Sequence, residues 1–283
     1  LFLMPGSAFG TSRKGPRFLL RDLIANRVFL DRDKASNVVV SAANIIYNYD
    51  YRELIRVHNE SGADITLLTK TYSCEAEDVS SVYTEDGHVR GFTYGTRYGD
   101  EGFLDCFVVK REKLIELIER YANVDYLDLF EAIEPDLPQL DVRAHRVDMY
   151  TGTVFDARMY AKRSHEMLDS NVTAELFPPD RPIMTKAHDN PPAKYESGAR
   201  VTNSIVSGGC RIQGTVADSI LSRHVVVEPG ASVRDCVIMN DCVIKRGARL
   251  EHAIIDRGNV ITAGTELRGT PETVLVKEKG GER

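Results

Sequence analysis

The residues able to do covalent or metal chemistry are scattered along this sequence rather than gathered into one motif. Cys74, Cys106, Cys210, Cys236 and Cys242 form no CxxC pair and no metal-ligand spacing, and their odd number argues against a disulfide framework. A reducing cytoplasm is the expected setting. Asp50, Asp105, Asp148 and Asp156 are carboxylates of the kind that hold Mg²⁺, which takes hard oxygen ligands. Asp50 stands directly before a helical pattern, however, and reads better as its N-cap. The glycine-bearing stretch from Gly6 to Lys14 lacks the spacing of a phosphate-cradling P-loop. A net charge of -6 and a pI near 5.7 exert no general pull on polyanions, so an anionic ligand must be held by a local group of Lys and Arg. No nucleic acid and no membrane surface is expected as a partner.

The elements that would position such residues divide the chain into two parts. In the C-terminal third a repeat is visible. Asp218-Ser219-Ile220-Leu221, Asp235-Cys236-Val237-Ile238 and His252-Ala253-Ile254-Ile255 start 17 residues apart, and Gly230, Gly247 and Gly264 advance by the same 17. Within each unit the aliphatic residues recur every six positions, as in Leu221, Val227 and Val233 or Ile238, Ile244 and Leu250. Three short strands per coil, each with one inward aliphatic and a Gly at a corner, is the hexapeptide pattern of a left-handed parallel β-helix. An antiparallel sandwich also has short, evenly spaced strands, but it does not repeat three features at one period. A helix of about four coils leaves open ends, which predicts capping by another domain or subunit. His224 and His252 have no evident catalytic partner and read as corner residues.

Before the repeat, the pattern alternates helix and strand. Arg17 to Arg27 has helical spacing, Asn37 to Ser41 is a buried strand, Tyr51 to Glu60 is an amphipathic helix and Ala63 to Leu68 is the next strand, a parallel unit. In such sheets functional residues lie past the carboxyl ends of strands, here Ser41 to Tyr47. A hairpin around Asp86-Gly87, a strand over Asp105 to Val109, helices over Glu112 to Ala122 and Leu127 to Ile133, strands over Asp141 to Met149 and Thr153 to Phe155, and a helix over Ala157 to Leu168 complete the part. Prolines 178, 179, 182, 191 and 192 then stiffen a connector. The expected domains are therefore an α/β domain over 1–175, a proline-rich linker over 176–200 and the β-helix over 201–283. The chain opens Leu1-Phe2-Leu3 without an initiator Met, which predicts that the α/β domain is incomplete at its N-terminus.

Several stretches match one known family. Arg181-Pro182-Ile183, Pro191-Pro192-Ala193-Lys194-Tyr195 and Asn203 to Cys210 resemble the linker and first coil of bacterial ADP-glucose pyrophosphorylase, a glucose-1-phosphate adenylyltransferase. Ala43-Asn44-Ile45-Ile46-Tyr47-Asn48-Tyr49-Asp50-Tyr51 resembles that family's Gly-Asp-His-Ile-Tyr-x-x-Asp-Tyr stretch. The resemblance implies an α/β domain of nucleotide-diphospho-sugar transferase type, Rossmann-like with a mixed sheet, joined to a left-handed β-helix. It implies chemistry in which a sugar phosphate attacks the α-phosphate of ATP, with Mg²⁺ and cations stabilising the charge that builds up.

Where catalytic members carry charge, this sequence does not. Asn44 replaces one metal-binding Asp, and Thr153, counted back from Tyr160, replaces the other. The sugar-contacting Glu-Lys-Pro becomes Tyr94-Gly95-Thr96, and Phe130 stands where a lysine belongs. The resemblance is therefore to the non-catalytic, regulatory D-type subunit. It implies no cofactor and no metal in this chain, a catalytic homologous subunit as partner in a tetramer, and a sugar-phosphate or nucleotide effector. Lys194, Arg211, Lys277 and Lys279 are the candidate effector contacts. Two other readings stay open at this point: an active nucleotidyltransferase with a rearranged site, and a purely structural β-helix oligomerisation subunit.

Overall fold

The computed structural model describes residues 18–73, 76–123, 128–186 and 188–280. Cys74, Leu127 and the stretch from Gly6 to Lys14 lie outside them. Contacts divide the chain into two compact units, one ending at Thr151 and the other beginning at Gly152.

The first unit is built on strands β1 (Asn37–Ser41), β2 (Ile65–Thr71), β3 (Ala76–Glu85), β4 (His88–Thr96), β5 (Glu101–Lys110) and β6 (Val142–Arg146). Their order in one mixed sheet is β1-β5-β2-β6-β4-β3. β1 and β2 both run antiparallel to β5, so they are parallel to each other as the strand-helix-strand pattern predicts, with β5 between them. β2 and β6 pair in parallel. Asp86 and Gly87, with φ of 51° and 79°, make the tight turn between β3 and β4, the conformation that Asp-Gly pairs favour.

Helices cover both faces. On one, Leu20 and Leu23 of α1 (Leu20–Ala25) and Leu114, Leu117 and Ile118 of α4 (Arg111–Arg120) pack on Ile65, Leu67, Phe107 and Val109. On the other, Leu54 of α3 (Tyr51–Ser61) packs on Leu68, Cys106 and Val108. Alternate residues of β2 and β5 thus enter opposite cores, and a strand buried on both sides reads as an unbroken apolar run. The single helix expected over 17–27 is instead α1 followed by α2 (Arg27–Arg32). Asn26 separates them: its φ of -100° and ψ of 6° leave the helical region, and its side-chain amide joins its backbone N–H on the Asp22 carbonyl, at 2.8 Å.

The second unit is a three-sided parallel β-helix carrying α6 (Ala157–Glu166) and α7 (Ser170–Leu176), numbered after the short α5 (Leu129–Ile133) of the first unit. Register follows the 17-residue period: Ile220 pairs with Val237 and Val237 with Ile254, while Val226 pairs with Val243 and Val243 with Val260. Leu221, Ile238 and Ile255 are stacked inside at 0% exposure. Burying an aliphatic side chain of this size contributes about 1.5–3 kcal/mol, and the coil repeats that gain on all three sides. Glycine fills the corner line of Gly230, Gly247 and Gly264 and shares another, Gly209 and Gly258, with His224 and Asp241. Asn203, Asp218, Asp235 and His252 hold positive φ of 40° to 48° at a third line, which has no glycine; Asn, Asp and His tolerate that conformation better than other residues.

The boundary expected at 175/176 falls earlier because α6 belongs to the β-helix: Ala161 packs on the outward-facing Val237 and Ile254. The proline-rich segment is likewise no free linker. Gly209 N–H donates to the Pro191 carbonyl at 2.6 Å, and Lys194–Tyr195 is already the first strand of one helix face.

Candidate functional site

At the carboxyl end of β1 the side chains form a neutral network. Asn44 is half-buried in the turn after the strand. The Ser41 and Tyr47 hydroxyls are 2.9 Å apart, and those of Tyr47 and Tyr51 are 3.1 Å apart. Burial pushes the Tyr47 phenol well above its ordinary value, and it pushes the neighbouring Cys106 thiol up to about 11. Neither therefore supplies an anion near neutral pH. Asp50 accepts from Arg52 N–H at 3.0 Å and pairs with the Arg52 guanidinium at 2.7 Å, so it caps α3 as the sequence predicts. Asp156 caps α6 in the same way, accepting from Met159 N–H at 2.7 Å, and Asp148 is exposed.

A cleft of about 240 Å³ brings together Tyr94, Asp105 and Phe130, three positions singled out in the sequence. Asp105 lies in a bulge of β5. Between the pairs Leu67–Phe107 and Thr69–Phe103, β5 holds two more residues than β2, and Asp105 takes a left-handed φ of 48° at 2% exposure. Asp128, Glu131 and Glu134 add three further carboxylates to the wall. Asp128 is fully engaged: Phe18 N–H donates to it at 2.7 Å and Phe130 N–H at 2.9 Å. Among the described residues no Lys, Arg or His lines this cleft.

Phe130 is the hub of an aromatic cluster. Its ring centroid lies 5.0 Å from those of Phe103 and Phe107, 5.2 Å from Phe92 and 5.9 Å from Phe18. An ammonium at this position would have to enter a packed apolar core. Tyr94 is half-exposed on β4, and Gly95 beside it has φ of 87° at the irregular pairing with Ser80.

In the second unit Thr153 is 7% exposed, and its carbonyl accepts from Arg163 Nε at 3.4 Å. Arg163 is held by Glu166 through both carboxylate oxygens at 2.6 and 2.7 Å. Asn44 in the first unit offers a neutral amide and Thr153 in the second a neutral hydroxyl, neither of them the carboxylate that Mg²⁺ favours, and among the described residues no group of three or more His, Cys, Asp or Glu is placed to hold a metal.

The four effector candidates do not converge. Lys194 and Arg211 are paired across neighbouring strands and share one counter-ion, Glu196, at 3.6 and 2.9 Å. Lys277 lies on another face of the β-helix, in its last strand, with Lys279 exposed just beyond it. His224 does have partners: its ring nitrogens lie 3.2 Å from Asp241 and 3.0 Å from Asn190. The sequence reading met Asp128 and Glu131 only as neighbours of Phe130 in the matched stretch, without giving them a role, and missed Glu134. Asp128 carried a signal, as a helix-capping Asp directly before Leu129, but the cleft itself is assembled from β3, β4, β5 and α5 and has no linear trace.

Residues 191–273 match a family model described as GlmU-like, C-terminal hexapeptide, which is the left-handed β-helix read from the period. The chain is 27% identical over 252 residues to the glycogen biosynthesis protein GlgD of Bacillus subtilis, covering 89% of this chain and 65% of that protein. It is 29% identical over 202 residues to GlgD of Geobacillus stearothermophilus, with 71% and 50% covered. It is 31% identical over 238 residues to a glucose-1-phosphate adenylyltransferase of Thermomicrobium roseum, with 75% and 56% covered. The chain thus spans half to two thirds of the length of these curated relatives. By these similarities, and by its hexapeptide β-helix, the chain is a relative of the glycogen biosynthesis protein GlgD and of the glucose-1-phosphate adenylyltransferases.

Proposed function

We propose that this chain is a regulatory, catalytically inactive subunit that assembles with a homologous glucose-1-phosphate adenylyltransferase, the enzyme that makes ADP-glucose and pyrophosphate from ATP and glucose 1-phosphate. The observation that carries the reading is the acidic, cation-free cleft at Tyr94, Asp105 and Phe130, where the resemblance locates the sugar and phosphate contacts. A unit negative charge roughly 6 Å from a carboxylate is repelled by about 3 kcal/mol at an effective dielectric of about 20. Phosphoryl transfer demands the opposite field, because charge accumulates on the transferring oxygens. The mixed sheet with helices on both faces is consistent with a nucleotide-diphospho-sugar transferase fold that keeps its scaffold after losing its charges.

The β-helix supports the partner half of the proposal. Val260, paired with Val243 at the end of its sheet, is 57% exposed, an apolar residue suited to cover by another subunit. A regulatory subunit acts by binding an effector preferentially in one state of the assembly, which biases the catalytic partner.

The test is ADP-glucose formation by the full-length protein alone, by the catalytic subunit alone and by the mixture. The reading expects turnover, or its response to sugar phosphates, to change only in the mixture. Turnover by this protein alone would favour the rearranged-enzyme reading, and a mixture no different from the catalytic subunit alone would favour a purely structural role.

A further inference from the structure

Acidic side chains on the longer helices of the first unit are held by cations. Glu53 and Glu60 share Arg56, Glu116 takes Lys113 and Arg120, and Glu119 takes Arg27, all at 2.6 to 2.7 Å. Glu131 and Glu134 differ: both are exposed, and among the described residues neither has an ion-paired partner. Three residues apart, they stand together at the rim of the 240 Å³ cleft. A Cβ at Gly91 would lie 3.9 Å from Glu134 Oε1, so this carboxylate leans over β4. Deeper in the same cleft are Asp128, 7% exposed, and Asp105, 2% exposed. Asp128 accepts from the Phe18 and Phe130 N–H groups, and a carboxylate has room for about four such bonds. The cleft therefore carries carboxylates at two depths.

Most of the remaining wall is aromatic, supplied by Phe18, Phe92, Phe103, Phe130 and Tyr94. Phe92, Phe103 and Phe130 lie with ring centroids 5.0 to 6.4 Å apart, tilted or edge to face. The face of such a ring is negative and attracts a cation, most strongly where water is excluded. Rings and carboxylates thus favour the same sign of ligand. A metal ion would use the carboxylates and ignore the rings, and among the described residues no three of the usual ligating side chains are grouped to hold one. The volume is below the lower end, about 300 Å³, of sites for drug-sized ligands. It suits a short alkyl chain and is too small for a nucleotide.

We propose that this cleft binds an organic dication, an aliphatic diamine or polyamine. One ammonium enters to Asp105 and Asp128, the methylenes lie along the phenyl rings, and the second ammonium stays at the rim with Glu131 and Glu134. The charge pattern that opposes phosphoryl transfer is the one that such a ligand needs. The site shares its cleft with the regulatory reading but does not rest on it. Its readout is binding by this chain alone, whereas the regulatory reading is judged by turnover, so either can fail without the other.

Isothermal titration of the full-length protein with putrescine, with its neutral analogue butanediol and with Mg²⁺ tests it. The titration is run at about 0.15 M salt, which screens loose attraction to a chain of net charge -6. Putrescine is expected to saturate a single site, butanediol to give no binding, and excess Mg²⁺ to leave putrescine bound. D105N should weaken putrescine by about ten-fold or more, since a charge-assisted contact is lost, and Asn tolerates the left-handed φ at this position. E131Q with E134Q should weaken it by a similar factor. Because both glutamates are exposed, this pair keeps the test valid if D105N fails to fold, and thermal melts verify each variant. The control pair E251Q with E266Q removes the same charge from the β-helix and should leave binding unchanged. Absence of saturable putrescine binding, displacement by Mg²⁺, unchanged binding in the E131Q/E134Q variant, or equal weakening by the control pair overturns the proposal.

Discussion

The two units solve the problem of specifying a structure in different ways. In the β-helix one rule is applied coil after coil: an inward aliphatic every fifth or sixth residue, a residue able to take positive φ at the corners, and a register of 17 residues per coil that shortens to 15 where Val201, Ile205 and Arg211 pair with Val216, Ile220 and Val226. In the unit ending at Thr151 no two strands are alike, and its cleft depends on a bulge at Asp105, a cap at Asp128 and the ring cluster around Phe130. Periodic architecture is robust and carries little chemical information except where the period breaks. Aperiodic architecture concentrates information in a few positions, and at Phe130 that information is aromatic packing.

That contrast is sharpest at Phe130. Phe130→Lys, which returns the charge expected of a catalytic relative, should destabilise the first unit by about 4 kcal/mol or more, because it deletes a buried ring and buries an ammonium among phenylalanines. Hydrogen exchange read by mass spectrometry should show the six-stranded sheet opening while the β-helix stays protected. Phe130→Met, which keeps the site apolar, should cost less than about 1.5 kcal/mol. Equal tolerance of Lys and Met would break the comparison.

Ile238→Ala is the counterpart in the β-helix. It removes a fully buried aliphatic stacked between Leu221 and Ile255, and the expected cost is about 3 kcal/mol. Since each coil contacts only its neighbours, lost protection should centre on the adjoining coils and fade toward the ends. Uniform opening of the whole unit would contradict nearest-neighbour behaviour.

Acid should also separate the units. Burial holds both His58 and His145 below the ordinary histidine value, and both belong to the first unit. His58 is 1% exposed, with Nδ1 2.8 Å from the Thr66 hydroxyl. A folded-state value below the unfolded one means that the unfolded chain binds more protons. The stability they contribute is thus present above about pH 6.5 and is lost as pH falls from there through their lower folded values. Urea midpoints should fall for the first unit between pH 7.5 and 5.5, and less so in a His58→Gln variant. A midpoint that rises on acidification would reverse the assigned direction.

The smallest effect expected is none. Asn44→Asp with Thr153→Asp places carboxylates at the two positions that the resemblance aligns with metal-binding Asp but leaves the acidic cleft and Phe130 in place, so on the proposed reading ADP-glucose synthesis should stay undetectable. Robust turnover from that double variant would show that the metal ligands alone were missing.

Much of the fold was legible in the sequence because local rules and tertiary packing agree. The Asp86-Gly87 turn, the Asp50 cap, the apolar run of β5 and the 17-residue period each have a physical cause confined to a few residues. The misreadings came where tertiary context decided. Asn26 interrupts a helix whose spacing predicts continuity, and α6 joins the β-helix because Ala161 packs on Val237 and Ile254, contacts between residues roughly 75 to 95 positions apart. The site was legible only in part. Asn44, Thr153, Tyr94 and Phe130 were found through resemblance, whereas Glu131 and Glu134 reach the cleft because α5 delivers them to a sheet whose strands are distant in sequence. Lys194 and Arg211 were read as candidate effector contacts, and only their strand pairing beside Glu196 shows that they share a counter-ion.

The central claim is that the first unit cannot stabilise a transferring phosphoryl group. The most direct measurement is single-protein turnover: purified full-length protein, without any catalytic subunit, incubated with ATP, glucose 1-phosphate and Mg²⁺ and followed for ADP-glucose and pyrophosphate. The account predicts neither product above the no-protein background. Stoichiometric formation of both, abolished by replacing Asp105 with Asn, would contradict it by showing that the acidic cleft is a working active site.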